Sequence, residues 1–360
     1  MRNIKTAFKS GPAGIHAEWF STVMLNWYQI HKRDLPWRDT KDPFFIWLSE
    51  IILQQTRVNQ GLPYYLKFSE KFDSIESFAS ADLDQILKLW QGLGYYSRAR
   101  NMYDCAHAVV EKYHGKFPDN YKELQNLKGV GKYTAAAIAS ICFDEAVPTI
   151  DGNVFRVLSR LFGIADDIAK SSTFGVFFEK AKSLIPNQSP GDFNQAMMEF
   201  GATVCTPKSP NCEDCPFSKS CFAYEQEMIE MLPVKSKKIK IKHRYFNYHV
   251  ITYKGHLLMR KRPSGDIWTG LFEFDLEEAE KSSKSSNFEN TTLQYSSEEI
   301  VHQLTHQQLH IRFHVYEALD QRSFEQISED RELDSILLKS VKNYAVPKPI
   351  ELFLNDEFCK

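Results

Sequence analysis

The chain has 360 residues, is 43% hydrophobic and carries a formal net charge of −2 at neutral pH. That length exceeds one typical domain and that apolar content can bury one or two real cores, so two domains are expected. No apolar run reaches the roughly 18 residues of a membrane span, the opening "MRNIKTAFKSGPAG" lacks a secretory apolar segment, and a near-neutral total lends no support of its own to a nucleic-acid partner, for which charge distribution matters more.

Residues 1–14 hold three basic residues and no acidic one, too short a stretch to mark a transit peptide. From about Ile15 to Met231 the pattern is helical, with frequent start and stop signals. Asp42-Pro43 places a capping side chain before a proline whose missing N–H costs nothing in the first turn, and so opens a helix. Within it "LSEIILQQTRV" (48–58) reads as amphipathic, with Leu48, Ile51, Ile52 and Val58 inward and Arg57 and Gln60 outward. Glu50 does not fit that reading. Neighbours three and four apart share a face, so its carboxylate lies among Ile46, Trp47, Leu53 and Gln54.

"GLGYY" (92–96) and "KGVGK" (128–132) read as glycine punctuation between helices. Turned amides in "LKGVGKYTAAAIAS" (127–140) would meet a helix N-terminus, a natural phosphate site, although many such turns are only tight connections. In "PTIDGNVFRVLSR", Asp151 precedes an amphipathic helix containing Val154, Val157 and Leu158 and is placed to cap it, a role compatible with catalysis.

Four of the seven cysteines, Cys205, Cys212, Cys215 and Cys221, fall within 17 residues as C-x6-C-x2-C-x5-C. In a reducing compartment such clustering points to metal, and four thiolates suit either structural zinc or a 4Fe-4S cluster. The polar loop "TPKSPNCEDCPFSKS" would not bury four thiols for packing alone. Cys105, Cys142 and Cys359 are scattered and read as ordinary buried or surface residues.

After Pro233 the texture changes. "YFNYHVITYKGHLLMRKR" and "LHIRFHVYEAL" alternate and are rich in β-branched and aromatic residues, as strands are, while "EKSSKSSNFENTT" reads as a long surface loop. Residues 235–244 contain six basic and no acidic residues, which on general grounds is a solvated linker. The expected domains are therefore 1–232, a linker at 233–244, and 245–360.

"SEIILQQT", "GLGYYSRARN", "LKGVGKYTAAAI", "IDGNVFRVLSR", "FNQAMMEFGATVC" and the cysteine loop, in that order and spacing, resemble the helix-hairpin-helix DNA glycosylases, and among them the MutY-type adenine glycosylases. The resemblance is strong over roughly 16–232 and looser beyond. It implies a multidomain chain: a mainly α helix-hairpin-helix domain with two lobes flanking a base pocket and a 4Fe-4S cluster on the four cysteines, then an α+β Nudix, or MutT-like, domain. It implies excision of adenine mispaired with 8-oxoguanine or guanine in double-stranded DNA, by a monomer in the bacterial cytoplasm, associated with the nucleoid.

By the same resemblance Glu50 is the acid that protonates the leaving adenine, Asp151 stabilises the sugar cation and Asn153 orients it. Gln55 and Tyr95 match residues that wedge the vacated stack, and Thr56, Arg98, Gly129, Gly131 and Lys132 fall among the implied DNA contacts. Bifunctional relatives carry a lysine where this chain has Tyr133, with Lys132 one residue early, so an enzyme that leaves an abasic site without cutting the strand is expected. "RPSGDIWTGLFEF" resembles a MutT-like strand and loop, but the hydrolase motif of active Nudix enzymes is missing, so pyrophosphatase function is not expected. The family's Phe-Ser-His lesion-reading loop corresponds to Leu304, Thr305 and His306.

Overall fold

A computed structural model describes residues 15–236, 240–279 and 288–358. The expectations for residues 1–14, for part of the basic run, for residues 280–287 of "EKSSKSSNFENTT" and for Cys359 lie outside the described residues.

The chain forms two compact units. Among the described residues, one comprises 15–79 and 104–236 and the other 80–103 and those from 240 onward. Ser80–Tyr103 is thus grouped apart from the helical segments that flank it in sequence. Hydrogen bonds account for the grouping: Lys88 Nζ donates to the Tyr344 carbonyl at 3.0 Å, Arg100 Nη1 to the Thr269 carbonyl at 2.7 Å, and Lys261 pairs with Asp84 at 2.7 Å.

The first unit is helical. Its helix Pro43–Leu53 starts where the Asp42 side chain accepts from Phe44 N at 2.8 Å. It is buried on every face rather than on one, with Phe44, Ile46, Trp47, Leu48, Ser49, Glu50, Ile51 and Ile52 all inside. The helix ends at Leu53, and Gln55 adopts φ +56°, so Val58 and Gln60 belong to the next helix, Val58–Lys71, and not to the stripe expected from sequence.

A second core joins helix Ala17–His31 to helices Gly152–Phe162 and Pro190–Thr203 through Phe20, Met24, Trp27, Val157, Leu158, Phe193, Phe200 and Phe217, with Cys205, Cys215 and Cys221 packed on it. The cysteine loop is therefore tied to the helices behind the Asp151 cap. Buried Asn194 fixes the approach to that cap: its Oδ1 accepts from Thr149 N at 3.0 Å and its Nδ2 donates to the Val147 carbonyl at 2.8 Å and to Ser140 Oγ at 2.9 Å.

The second unit is built on one sheet whose strands are β1 (Lys242–Tyr253), β2 (His256–Lys261), β3 (Phe272–Glu273), β4 (Asp275–Ala279), β5 (Thr291–Ser296), β6 (Ile300–Gln303), β7 (Gln307–Ala318) and β8 (Asp334–Leu337). The main path runs β3-β2-β1-β7-β5, and β4, β6 and β8 add to β1, β7 and β2. β1 and β7, both expected as strands from their alternation, pair in parallel from Lys242↔Gln307 to Thr252↔Glu317. The short helix Gln321–Asp330 and helix Lys348–Phe358 complete this unit, and the latter places Ile350, Phe353 and Leu354 in the core formed by Phe246, Tyr248 and Phe313.

Candidate functional site

Four residues predicted from sequence line one cavity of the first unit, about 180 Å³ in volume: Glu50, Tyr133, Asp151 and Asn153. They come from three helices whose positions follow from local sequence. Glu50 lies in the apolar helix Pro43–Leu53, Tyr133 in the first turn of Lys132–Cys142, and Asp151 and Asn153 at the start of Gly152–Phe162.

Glu50 is 8% exposed. Burial pushes its carboxyl up from 4.5 to about 7 and the nearby Asp151 charge pushes the same way, against hydrogen bonding from Tyr133. Near neutral pH the group therefore holds a proton that it can give away. The Tyr133 hydroxyl donates to Met198 Sδ at 2.9 Å and also bears on the Glu50 carboxyl; with one proton it serves one acceptor at a time, and an ionised carboxylate is the stronger of the two.

Asp151 caps its helix as expected, its Oδ1 accepting from Val154 N at 2.8 Å, while Oδ2 accepts from Asn153 Nδ2 at 2.8 Å. Burial raises its pKa, but these hydrogen bonds and the Arg156 charge favour the ionised form. Asn153 is in turn oriented, because Arg156 Nη2 donates to its Oδ1 at 2.8 Å and leaves the amide to face Asp151. Arg156 is anchored on the carbonyls of Gly201 at 2.6 Å and Cys205 at 2.6 Å. The sequence reading gave Arg156 no role, although an arginine among Val154, Val157, Leu158 and Leu161 is the same kind of signal as Glu50.

Gly201 allows this arrangement. A Cβ added there would stand 2.6 Å from Asn153 Cβ and 3.1 Å from its Cα and carbonyl carbon, so helix Pro190–Thr203 approaches Asn153 more closely than any side chain permits. Gly201→Ala is expected to displace Asn153 and slow the chemistry at Asp151, with a stability cost of about 1–3 kcal/mol from overpacking. Single-turnover rates and urea midpoints check it; an unchanged rate would show that the Asn153 position is not critical.

The cavity also holds a charged group that sequence reasoning missed. Glu199 accepts from Arg33 Nε at 2.6 Å, Arg33 Nη2 at 2.7 Å and Arg38 Nη2 at 2.7 Å. Burial would raise its carboxyl, yet the hydrogen bonds from Arg33 and Arg38 hold it down to about 2. This permanent anion beside arginine donors lines the cavity that contains Glu50.

The other predicted contacts divide. Lys128, Gly129, Gly131 and Lys132 are exposed at the turn that starts helix Lys132–Cys142, with Gly129 at φ +76°, a conformation that favours glycine. Lys132 Nζ lies over the Phe174 ring at 4.9 Å. Gln55 is exposed and Thr56 half-buried in the turn after helix Pro43–Leu53. In the second unit, Tyr95 is 43% exposed at φ +49° and its hydroxyl meets that of Thr305, while Thr305 and His306 are exposed between β6 and β7. Arg98 differs from its expected role as a surface contact. It is buried, donates to the Gly94 carbonyl at 3.1 Å and lies over Trp90 at 4.9 Å, so it supports the turn that carries Tyr95 instead of reaching outward.

Cys205, Cys212, Cys215 and Cys221 line one small hollow with Arg160, whose Nη1 stands 3.5 Å from Cys205 Sγ. Burial raises the thiol pKa of Cys212, Cys215 and Cys221, and neighbouring cysteine charges add to it. Among the described residues no three His, Cys, Asp or Glu side chains gather closely enough to hold a single metal ion. A zinc site needs its thiolates around one centre, whereas a cluster takes each thiolate at its own iron. The all-sulfur donor set fits either a structural zinc ion or a 4Fe-4S cluster.

Comparison with known proteins adds to the geometry. The model of the HhH-GPD superfamily of base excision DNA repair proteins matches residues 48–180, and that of the NUDIX domain matches residues 247–356. The adenine DNA glycosylase of Buchnera aphidicola subsp. Schizaphis graminum is 33% identical over 341 residues, covering 93% of this chain and 97% of its own. Among solved structures, a thermostable thymine-DNA glycosylase is 32% identical with a TM-score of 0.53, covering 58% of this chain and 97% of that one. An endonuclease III trapped covalently on DNA superposes with a TM-score of 0.51 at 22% identity, covering 60% of this chain and 100% of that one, a likeness of fold alone.

Proposed function

The chain belongs to the adenine DNA glycosylase family, and from that premise we propose that it removes adenine mispaired with 8-oxoguanine or guanine in double-stranded DNA and leaves an abasic site uncut. The observation that carries the reading is a carboxyl pushed up to about 7 in the same cavity as a second carboxyl held by donors. Two carboxyl groups in contrasting environments are what glycosidic bond cleavage uses.

A flipped adenine, extruded at a cost of a few kcal/mol, would enter the cavity. Glu50 gives its proton to N7, the bond from the sugar to adenine breaks with its electron pair leaving on the base, and the positive charge left on the sugar faces ionised Asp151. Water then adds to the sugar and loses a proton, completing the hydrolysis. Asn153 keeps the Asp151 carboxylate aimed, and Tyr133 stabilises the Glu50 carboxylate that proton transfer leaves behind. Adenine presents an N6 donor beside the N7 that takes the Glu50 proton, which suits the Glu199 anion lining the same cavity, whereas thymine presents an O4 acceptor there.

The four cysteines would hold a 4Fe-4S cluster, whose chemistry when bound is to cross-link the loop at 205–221. The turn at 128–132 would receive phosphate, and Gln55, Thr56 and Tyr95 would fill the vacated stack, with Thr305 and His306 of the second unit reading the 8-oxoguanine. All the groups the reaction needs come from one chain, which supports action as a monomer. A bacterial relative over nearly the whole length supports a cytoplasmic, nucleoid-associated enzyme, and among the described residues no helix is long and apolar enough to cross a membrane.

The competing reading is excision of thymine, as the name of one similar structure states for that protein. Base release from duplexes containing adenine opposite 8-oxoguanine, guanine or thymine, and thymine opposite guanine, separates the two. Adenine release fastest opposite 8-oxoguanine, with no adduct on borohydride treatment, is expected. Thymine release without adenine release would overturn the proposal, and an adduct dependent on Lys132 would overturn its uncut product.

A further inference from the structure

Side chains alternate along a strand, so His243 and Tyr245 of β1 share a face of the sheet with Gln308 and His310 of β7, opposite to Arg244 and Phe246. Three titratable groups are chained together there. Glu299, between β5 and β6, accepts through Oε1 from His310 Nδ1 at 2.9 Å, which fixes a proton on that nitrogen. His310 Nε2 stands 3.1 Å from His243 Nδ1, so one proton lies between the two rings. The half-buried His310 ring is held by Tyr245, which stacks on it at 4.6 Å and 19°. His243 itself is exposed.

The proton count decides what His243 offers to its surroundings. With both rings neutral, His310 keeps its proton on Nδ1, the shared proton sits on His243 Nδ1, and His243 Nε2 on the far side of the ring is an acceptor. One further proton turns that outer nitrogen into a donor and gives the pair a positive charge, a change histidine makes between about pH 5 and 8. The same face continues with Arg312 and His314 of β7, His249 of β1 and Glu277 of β4, the last engaged with His249 at 3.4 Å, while β6 adds the uncharged Val301 and Gln303. The row lies at the end of the sheet that carries Thr305 and His306. Lys242 N donates to the His306 carbonyl at 3.0 Å, and Lys240 and Lys242, both exposed, precede His243 in the chain. We propose that His243 is a proton-gated contact for a backbone phosphate of the bound duplex. This rests on the reading of the turn at 304–306 as a part of the second unit that meets DNA.

The test uses the full chain carrying Glu50→Gln, so that adenine is retained, as the parent. Its affinity for two duplexes, one with adenine opposite 8-oxoguanine and one with adenine opposite thymine, is measured across a range of salt near about pH 6 and about pH 8.5. A phosphate contact carries no sequence information, so both duplexes should respond. Near pH 6, His243→Ala is expected to bind about five- to tenfold more weakly than the parent, with a log–log salt slope smaller by about 1, and to match the parent at the higher pH. His243→Lys, whose charge is permanent, should show the parent's acid-side slope at both pH values, and Glu299→Gln should move the gain in affinity to lower pH. Equal slopes for the parent and His243→Ala near pH 6, or the same loss at both pH values, would overturn the gated contact. A parent that binds the two duplexes alike would instead remove the lesion reading of the second unit, and the slope of His243→Ala would still decide the phosphate contact.

Discussion

Glu50→Gln is expected to slow adenine release in a single turnover by roughly 100- to 10,000-fold, the range that a positioned general acid contributes, while duplex affinity stays within a few-fold. Glutamine keeps the shape and the hydrogen-bonding reach of the side chain but has no proton to give. The stability effect should run the other way. The folded carboxyl titrates near 7 and an unperturbed one at 4.5, so the folded state binds the extra proton and loses stability as pH rises from 4.5 towards 7. Replacing it with glutamine removes that loss, and the variant should melt higher than the parent above pH 7. Full turnover in Glu50→Gln would make Glu50 a buried helix residue and nothing more.

Asp151→Asn tests the second carboxyl, with an expected loss of roughly 100- to 1,000-fold, as for removal of one preorganised electrostatic group. The substitution is informative because asparagine is also a preferred helix cap, so Val154 N keeps an acceptor and the helix start survives. The new amide would face the Asn153 donor, whose orientation Arg156 fixes, and that mismatch costs about 1–3 kcal/mol of stability. Melting temperature and rate together separate the outcomes. A rate that falls only in proportion to the loss of folded protein would assign Asp151 to capping alone.

Much of the candidate site was legible because it breaks local rules. A carboxylate on an apolar stripe, an aspartate at a helix start and four close cysteines are all visible in short windows, and the residues named from them meet around one cavity or one hollow. The Glu199 triad was not legible. Its partners lie 166 and 161 positions away, and nothing in "KRDLPWR" or "MMEFGA" alone marks an ion pair. The burial of Arg98 was not legible for a related reason: the carbonyls of the glycine turn and the Trp90 face, which no spacing marks, draw it inward. The strands of the second unit followed from alternation, whereas the grouping of Ser80–Tyr103 with them depends on hydrogen bonds such as Lys88 to Tyr344, which no local pattern encodes.

The central claim is that excision depends on a protonated Glu50 beside an ionised Asp151. The most direct measurement is the single-turnover rate of adenine release across pH 5 to 9 at constant ionic strength. The expected rate is high on the acid side of Glu50's pKa and declines as pH rises through it, with the break near 7 absent from the residual rate of Glu50→Gln. A rate that climbs with pH through neutrality would require the ionised carboxylate, and would contradict the assignment of Glu50 as the proton donor.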